Sequence, residues 1–149
     1  MKATRFFHVA ERQRLRNAVE SAEQQTSGEI RVFIDDHCRE DVLDRAAYIF
    51  TKLGMENTRQ RNGVLIYLAL DDKKFAIIGD AGIHAKVGDT FWNEVREGMA
   101  GLFRQGKIID GLEYAVMEAG TRLREFFPRS SGDINELPDD LHFGDGGAV

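Results

Sequence analysis

The chain has very little cysteine and proline: one cysteine, Cys38, and two prolines in 149 residues. A single cysteine excludes an intrachain disulfide and suits a reducing compartment, so we expect a cytoplasmic protein. An excess of positive charge is also missing, because the formal net charge is −5. We therefore expect no nucleic-acid partner, since non-specific binding needs a basic surface. No apolar run approaches the roughly 20 residues of a membrane span, and residues 1–16 lack the apolar core of a signal peptide.

The composition is that of an ordinary globular protein, with 42% hydrophobic and 30% charged residues. A chain of this length is large enough to bury a core as one domain, which we assign to residues 1–128. We expect residues 129–149 to form a disordered acidic tail, because Gly, Ser, Asp and Pro dominate there. The alternative is that Leu137, Leu141 and Phe143 dock as an acidic peptide on a neighbouring copy or a partner.

Hydrophobic periodicity predicts alternating helices and strands. Helices are expected at residues 4–25, 42–53, 84–87, 89–104 and from 107 or 110 to 127, and strands at 28–35, 64–70 and 74–78. The first two strands are separated by a helix and should be parallel, whereas the turn at 71–73 is too short for anything but an antiparallel pair. The predicted fold class is α/β: a three-layer α/β/α sandwich around a small mixed sheet with an antiparallel hairpin.

The candidate site centres on the loop Gly79-Asp80-Ala81-Gly82, which follows the third strand and opens a helix. In the predicted topology Asp80 shares one edge of the sheet with Glu29, at the start of the first strand. Carboxylate oxygens are the ligands that calcium and magnesium prefer, so we predict a divalent-cation site here, with Asp110 as a third ligand. The alternatives are a turn residue for Asp80, a solvated strand-end residue for Glu29 and a residue favoured by the helix dipole for Asp110.

The opposite edge of the predicted sheet is richer in carboxylates. It gathers four aspartates, Asp35, Asp36, Asp71 and Asp72. Ligands of open α/β sheets often bind outside this edge, but consecutive aspartates at strand ends are more often solvated turns. His37-Cys38 is not expected to bind a soft metal, because adjacent side chains on an extended segment point apart.

Three segments in this order resemble the TPM-domain family, named after thylakoid-lumen, photosystem-associated and receptor-modulator proteins. They are Ser27-Gly28-Glu29-Ile30-Arg31-Val32, Asn62-Gly63-Val64-Leu65-Ile66 and Ile78-Gly79-Asp80-Ala81-Gly82-Ile83. The resemblance covers residues 5–127 and implies a Rossmann-like sandwich, divalent-cation binding in several members and acid-phosphatase activity in a plant member. Most bacterial members of the family carry a signal peptide before the domain and a membrane span after it, and we expect neither in this chain. The family loop often reads Gly-Tyr-Gly-Leu-Glu, and here Asp80 takes the aromatic position and His84 the acidic one.

These observations favour a cation-binding domain that acts through a protein partner. The alternative is a weak metal-dependent acid phosphatase, which rests on the family resemblance alone. Hydrolysis would have to be metal-assisted, because the sequence has no Cys-x5-Arg nucleophile motif and no Asp-x-Asp phosphate loop. The apolar stripe from Phe91 to Phe103 is interpreted as core, with a partner groove as the alternative. Gly98 and Gly101 within it predict a close approach of another element.

Overall fold

A computed structural model describes residues 2–129 and 141–149. The helices are α1 (Ala3–Phe6), α2 (Val9–Glu23), α3 (Val42–Lys52), α4 (Ala81–Arg104) and α5 (Ile108–Phe126), with a 3₁₀ turn at Met55–Asn57. The strands are β1 (Glu29–Asp35), β2 (Gly63–Ala69), β3 (Lys74–Gly79) and β4 (Leu141–Gly144). The predicted α/β sandwich is confirmed.

The strands form one mixed sheet in the order β3-β2-β1-β4. β1 pairs in parallel with β2, with Glu29 opposite Gly63, and β2 pairs antiparallel with β3, with Val64 opposite Gly79. Both predicted strand relationships are therefore confirmed. We call the end where β1 and β2 begin and β3 finishes the amino edge, and the opposite end the carboxyl edge.

The two faces of β1 bury different cores because side chains alternate along a strand. Ile30, Val32 and Ile34 lie in the larger core with residues of α2, α4 and α5. Phe33 lies in the smaller core, which α3 and the 3₁₀ turn cover.

The predicted first helix is divided by an extended residue. Phe7 is buried with an extended backbone, and His8 then caps α2, its N–H donating to Glu11 Oε1 at 2.9 Å. Gly88 interrupts α4 with φ 75° and ψ 175°, close to the boundary predicted between a short helical turn and a longer helix. Glycine adopts a positive φ without the cost that a side chain imposes.

The tail contains a strand that was not predicted. Leu141 to Gly144 pair in parallel with Val32 to Asp35, and Leu141 is buried in the larger core. The expectation of disorder is wrong for this segment, because Leu141 joins the core and the pairing satisfies backbone groups at the edge of β1. Residues 130–140, including Leu137, lie outside the described residues.

The apolar stripe of α4 mainly forms core, as predicted. Phe91, Trp92, Val95 and Met99 are all buried. At Gly98 a Cβ would lie 2.6 Å from the Tyr114 hydroxyl, which confirms the predicted close approach. The same prediction is wrong at Gly101, where a Cβ would meet only an Arg104 nitrogen at 4.0 Å.

Candidate functional site at the amino edge

Glu29 and Asp80 lie on the same edge of the sheet, as predicted from the topology. Glu29 is opposite Gly63, and the Asp80 N–H donates to the Gly63 carbonyl at 2.9 Å from the other side. Strands are spaced about 4.8 Å apart, so the two backbones are about 10 Å apart with β2 between them. The Met55 carbonyl lies 3.2 Å from the position of a Cβ on Gly63, so the 3₁₀ turn also covers the residue between them.

Asp80 is held by an arginine that the sequence interpretation did not assign to the site. The Arg61 guanidinium donates twice to Asp80, from Nε at 2.6 Å and from Nη2 at 2.8 Å. Asp80 also caps α4 by accepting from the Ala81 N–H at 2.8 Å. The hydrogen bond with Asp80 raises the pKa of Arg61. The Asp80 side chain is 6% exposed and that of Arg61 is 52% exposed, so the arginine lies on the solvent side of the pair.

The loop before β2 is fitted tightly against the start of α4. Arg61 has a positive φ of 51°, which places its carbonyl to accept from the N–H groups of Gly82 at 2.8 Å and Ile83 at 3.3 Å. A Cβ on Gly82 would overlap the Gln60 carbonyl oxygen and lie 2.7 Å from that of Arg61. Glycine at position 82 is therefore required by close backbone approach, which fixes Arg61 next to Asp80.

A small cleft next to this ion pair contains a second carboxylate. Glu56, Arg61 and Asp80 line it together with Ala47, Phe50, Thr51, Ile78 and Gly79. Glu56 Oε2 is buried and has no hydrogen-bond partner among the described residues. The same is true of Asn62 Oδ1, beside Arg61 in the chain. Buried polar atoms are nearly always satisfied, so these two acceptors point to a ligand or solvent at this edge.

Glu29 has a different environment from Asp80. It is 1% exposed and lies 3.3 Å from Arg31 Nη2, while Arg31 Nη1 contacts Glu23 Oε2 at 2.8 Å. Arg31 thus lies between two buried carboxylates. This arrangement is that of a structural ion-pair cluster in the wall of the domain.

Asp110 lies far from both Glu29 and Asp80. Arg14 contacts it at 2.6 Å and also binds Glu113 at 2.9 Å. The opposite end of α5 contacts the amino edge. There, a Cβ added at Gly28 would lie 2.7 Å from Leu123 Cδ2. At about 1.5 Å per residue, Asp110 is about 20 Å from Leu123 along the helix. The structure therefore does not bring the three predicted ligands together.

The amino edge offers oxygen donors, which suit a hard cation, but few of them. Across residues 2–129 and 141–149, no group of three or more His, Cys, Asp or Glu side chains is arranged to hold a metal ion. Two carboxylates, Glu56 and Asp80, line one cleft at this edge.

The carboxyl edge buries its most central aspartate in a complete network. Asp35 is fully buried, with Arg45 Nε at 2.9 Å and the Tyr67 hydroxyl at 2.5 Å. The Gly146 N–H donates to the same carboxylate at 3.1 Å. Burial and then the hydrogen bond with Asp35 raise the pKa of Tyr67. These contacts show a structural role for Asp35.

The other aspartates of this edge also contact neighbouring segments. Asp36 accepts from the Ala3 N–H at 2.6 Å, and Asp72 accepts from the Cys38 N–H at 2.6 Å. The backbone hydrogen bond from Cys38 lowers the pKa of Asp72. The interpretation of these residues as solvated turns is wrong for Asp35 and Asp36, which are buried.

Sequence interpretation missed Glu56 and Arg61 because both fall between the helix predicted at 42–53 and the strand predicted at 64–70, where no functional residue was assigned. Arg61 precedes Asn62-Gly63 at the start of β2, and β2 and β3 pair antiparallel. A basic residue just before one strand of a hairpin and an acidic residue just after the other are close in space, which was an available signal for Arg61. Glu56 had no such signal, since its position depends on the 3₁₀ turn.

Comparison with known proteins shows the family. A family model described as the TPM domain matches residues 1–122, and no curated protein matches. The NMR structure of the BA42 protein from the psychrophilic bacterium Bizionia argentinensis is 42% identical, with a TM-score of 0.86 over 93% of this chain and 96% of that one.

Two more distant structures share the fold. The N-terminal domain of a P. gingivalis protein is 19% identical, with a TM-score of 0.66 over 80% of this chain and 77% of that one. The N-terminal domain of the cg2496 protein from Corynebacterium glutamicum is 12% identical, with a TM-score of 0.63 over 90% and 84%. Among the described residues, no helix has the length and apolar character to cross a bilayer. The family model and the 42% identity over nearly the whole chain show that this protein belongs to the TPM-domain family.

Proposed function

We propose that this TPM domain binds a divalent cation, calcium or magnesium, at the amino edge and acts through a protein partner. Asp80 and Glu56 are the proposed carboxylate ligands. The observation that carries the proposal is the buried, unsatisfied Glu56 Oε2 in the cleft that Asp80 also lines. This assignment keeps Asp80 from the sequence prediction and replaces Glu29 and Asp110, which have arginine partners elsewhere.

A cation can replace Arg61 as the partner of Asp80 in the proposed site. Its guanidinium neutralises Asp80, and its side chain is half exposed, so it can leave toward solvent when a cation arrives. Because Arg61 lies on the solvent side of the pair, water can solvate its guanidinium when the contact with Asp80 is lost. A cation therefore competes with Arg61 for Asp80 at small cost to the fold.

Affinity should be modest. Two carboxylates leave most of the six to eight oxygen positions of calcium to water. We expect a dissociation constant on the order of 10⁻⁴–10⁻³ M, the range of weakly charged calcium sites.

The test is a titration of the ¹⁵N-labelled chain with CaCl₂ and MgCl₂, followed by amide chemical shifts. Asp80→Asn should abolish the shifts around residues 56–63 and 79–84 while keeping the helix cap, because Asn is a good N-cap residue. Glu56→Gln should weaken binding, and Arg61→Gln should strengthen it by removing the competing charge.

Asp89→Asn is the matched control, because the Asp89 side chain is 90% exposed on the same helix. It should leave the titration unchanged. Unaltered calcium shifts in Asp80→Asn would place the cation elsewhere, and weaker binding in Arg61→Gln would refute the exchange.

The contacts of Cys38, His84 and His142, a potential nucleophile and two potential bases, support the proposal that the domain is not catalytic. Cys38 is buried, and its Sγ donates to the Glu40 carbonyl at 3.3 Å. His84 Nδ1 accepts from the Trp92 Nε1–H at 3.0 Å, and His142 stacks on Phe33. A buried single cysteine also suits the cytoplasm, which we propose as the compartment.

The alternative, a metal-dependent acid phosphatase, would use the same cation as a Lewis acid. Hydrolysis of p-nitrophenyl phosphate, measured with calcium, with magnesium and with EDTA, tests it directly. We expect no turnover above background. Turnover that requires the cation and is lost in Asp80→Asn, with the fold intact, would establish the enzyme instead.

A further inference from the structure

An apolar groove lies on the face of the sheet opposite α3, at the carboxyl edge. Its volume is about 660 Å³, within the roughly 300–1,000 Å³ of sites that bind small molecules. It is lined by Phe6, Leu68, Leu70, Asp71, Lys73, Phe75, Ala100, Phe103, Arg104 and Ile108. The groove is remote from Asp80, which lies at the amino edge.

The walls of the groove are aromatic and well fixed. Phe75 and Phe103 meet edge to face with centroids 5.0 Å apart. Phe103 Cδ1 would lie 2.7 Å from a Cβ on Gly111, so the start of α5 holds this ring in place. Phe6 is 40% exposed at the mouth. Exposed apolar surface concentrated in a concave site commonly marks a binding site.

The rim of the groove is basic. Lys73 and Arg104 are both exposed there. Asp71, the acidic residue among the lining side chains, lies 3.5 Å from His37 Nε2. Two exposed cations above an apolar floor complement a ligand with an apolar body and one negative head group.

We propose that this groove binds an amphipathic monocarboxylate, with its aliphatic chain against Phe75, Phe103 and Leu70 and its carboxylate at Lys73 and Arg104. The apolar chain supplies the free energy through burial. The two cations select the charge of the head group through charge-assisted hydrogen bonds. This site is independent of the cation site proposed above.

The test is a titration of the full ¹⁵N-labelled chain with decanoate, with decanol and decyltrimethylammonium as neutral and cationic probes. Decanoate should give saturable shifts at residues 68–75 and 100–108. The double variant Lys73→Gln/Arg104→Gln should weaken decanoate binding about tenfold or more, because a charged hydrogen bond is lost. The charge-matched control is Lys86→Gln/Arg124→Gln, which should bind as the unaltered chain does.

Ala100→Leu keeps every charge but fills the groove, and it should abolish binding. The absence of saturable shifts with decanoate would overturn the proposal. Decanol binding as tight as that of decanoate, or unchanged decanoate affinity in the Lys73→Gln/Arg104→Gln variant, would show that the basic rim plays no role. Either result would overturn the proposal as well. Self-association in sedimentation that Ala100→Leu abolishes would assign the groove to a second copy of the chain instead.

Discussion

The two edges of the sheet use the same residue type in opposite ways. At the carboxyl edge Asp35 is fully buried, and an arginine, a tyrosine hydroxyl and a backbone N–H all contact its carboxylate. At the amino edge Asp80 has a half-exposed arginine, and a nearby glutamate oxygen has no hydrogen-bond partner among the described residues. The edge with more carboxylates is therefore the structural one. In this protein, a candidate site is distinguished by carboxylates whose hydrogen bonding is incomplete or open to solvent. The number of acidic residues at an edge does not distinguish it.

The test with the largest expected effect replaces one aspartate at each edge, Asp35 at the carboxyl edge and Asp80 at the amino edge. Asp35→Asn leaves Arg45, which is 3% exposed, as a buried charge without its partner. Breaking a buried pair in this way costs about 3–5 kcal/mol. Asp80→Asn leaves an arginine that water can solvate and keeps a good N-cap residue, so it should cost clearly less than Asp35→Asn. Urea unfolding of both variants measures the difference.

The double variant Asp35→Asn/Arg45→Met supplies the control, because it removes both charges. It should regain a substantial part of the loss, since a buried apolar side chain replaces the orphaned guanidinium. Equal losses in Asp35→Asn and Asp80→Asn would contradict the distinction between the edges.

A smaller loss is expected when the tail is removed. A chain that ends at Arg129 lacks β4, which places Leu141 in the core and whose Gly144 carbonyl accepts from the Asp36 N–H at 3.0 Å. Burial of one leucine contributes about 1.5–3 kcal/mol. The melting temperature should therefore fall by several degrees. Leu141→Asp in the full chain should reproduce most of this effect, and an unchanged melting temperature in both would show that β4 does not stabilise the domain.

The helices and the first three strands follow from hydrophobic pattern, turn length and capping. The shared edge of Glu29 and Asp80 followed as well, because a parallel pair and a hairpin fix which strand ends meet. β4 did not, because a strand of four residues has too little pattern of its own and is specified by the edge of β1 that it covers. The prediction that Asp110 lies near Glu29 and Asp80 was wrong. The sequence shows where α5 begins and ends, but not which end of the helix contacts the amino edge.

The next prediction tests how tightly the amino edge is held. Gly82→Ala introduces a Cβ against the carbonyl groups of Gln60 and Arg61. Backbone atoms yield poorly, so overpacking here should cost about 1–3 kcal/mol. Gly101→Ala is the matched control, because open space surrounds that position in the same helix, and alanine should stabilise it by about 0.5–1 kcal/mol. Thermal unfolding of the two variants should show shifts of opposite sign, and a neutral Gly82→Ala would mean that the loop adapts.

The smallest expected effect concerns pH at the carboxyl edge. The pKa of Asp72 is lowered from its usual 3.8, first by the hydrogen bond from the Cys38 N–H and also by the charge of His37. A carboxyl whose pKa is lower in the folded state stabilises that state above its usual pKa. This contribution is lost as the pH falls through the folded value, that is, below about pH 4. Asp72→Asn should therefore melt lower than the unaltered chain at pH 6, and the difference should shrink as the pH is lowered further and further below about 4. Asp89→Asn, at an almost fully exposed position, should show no such convergence. A difference in melting temperature for Asp72→Asn that stays constant across this range would mean that the variant acts through packing and not through the titration of this carboxyl group.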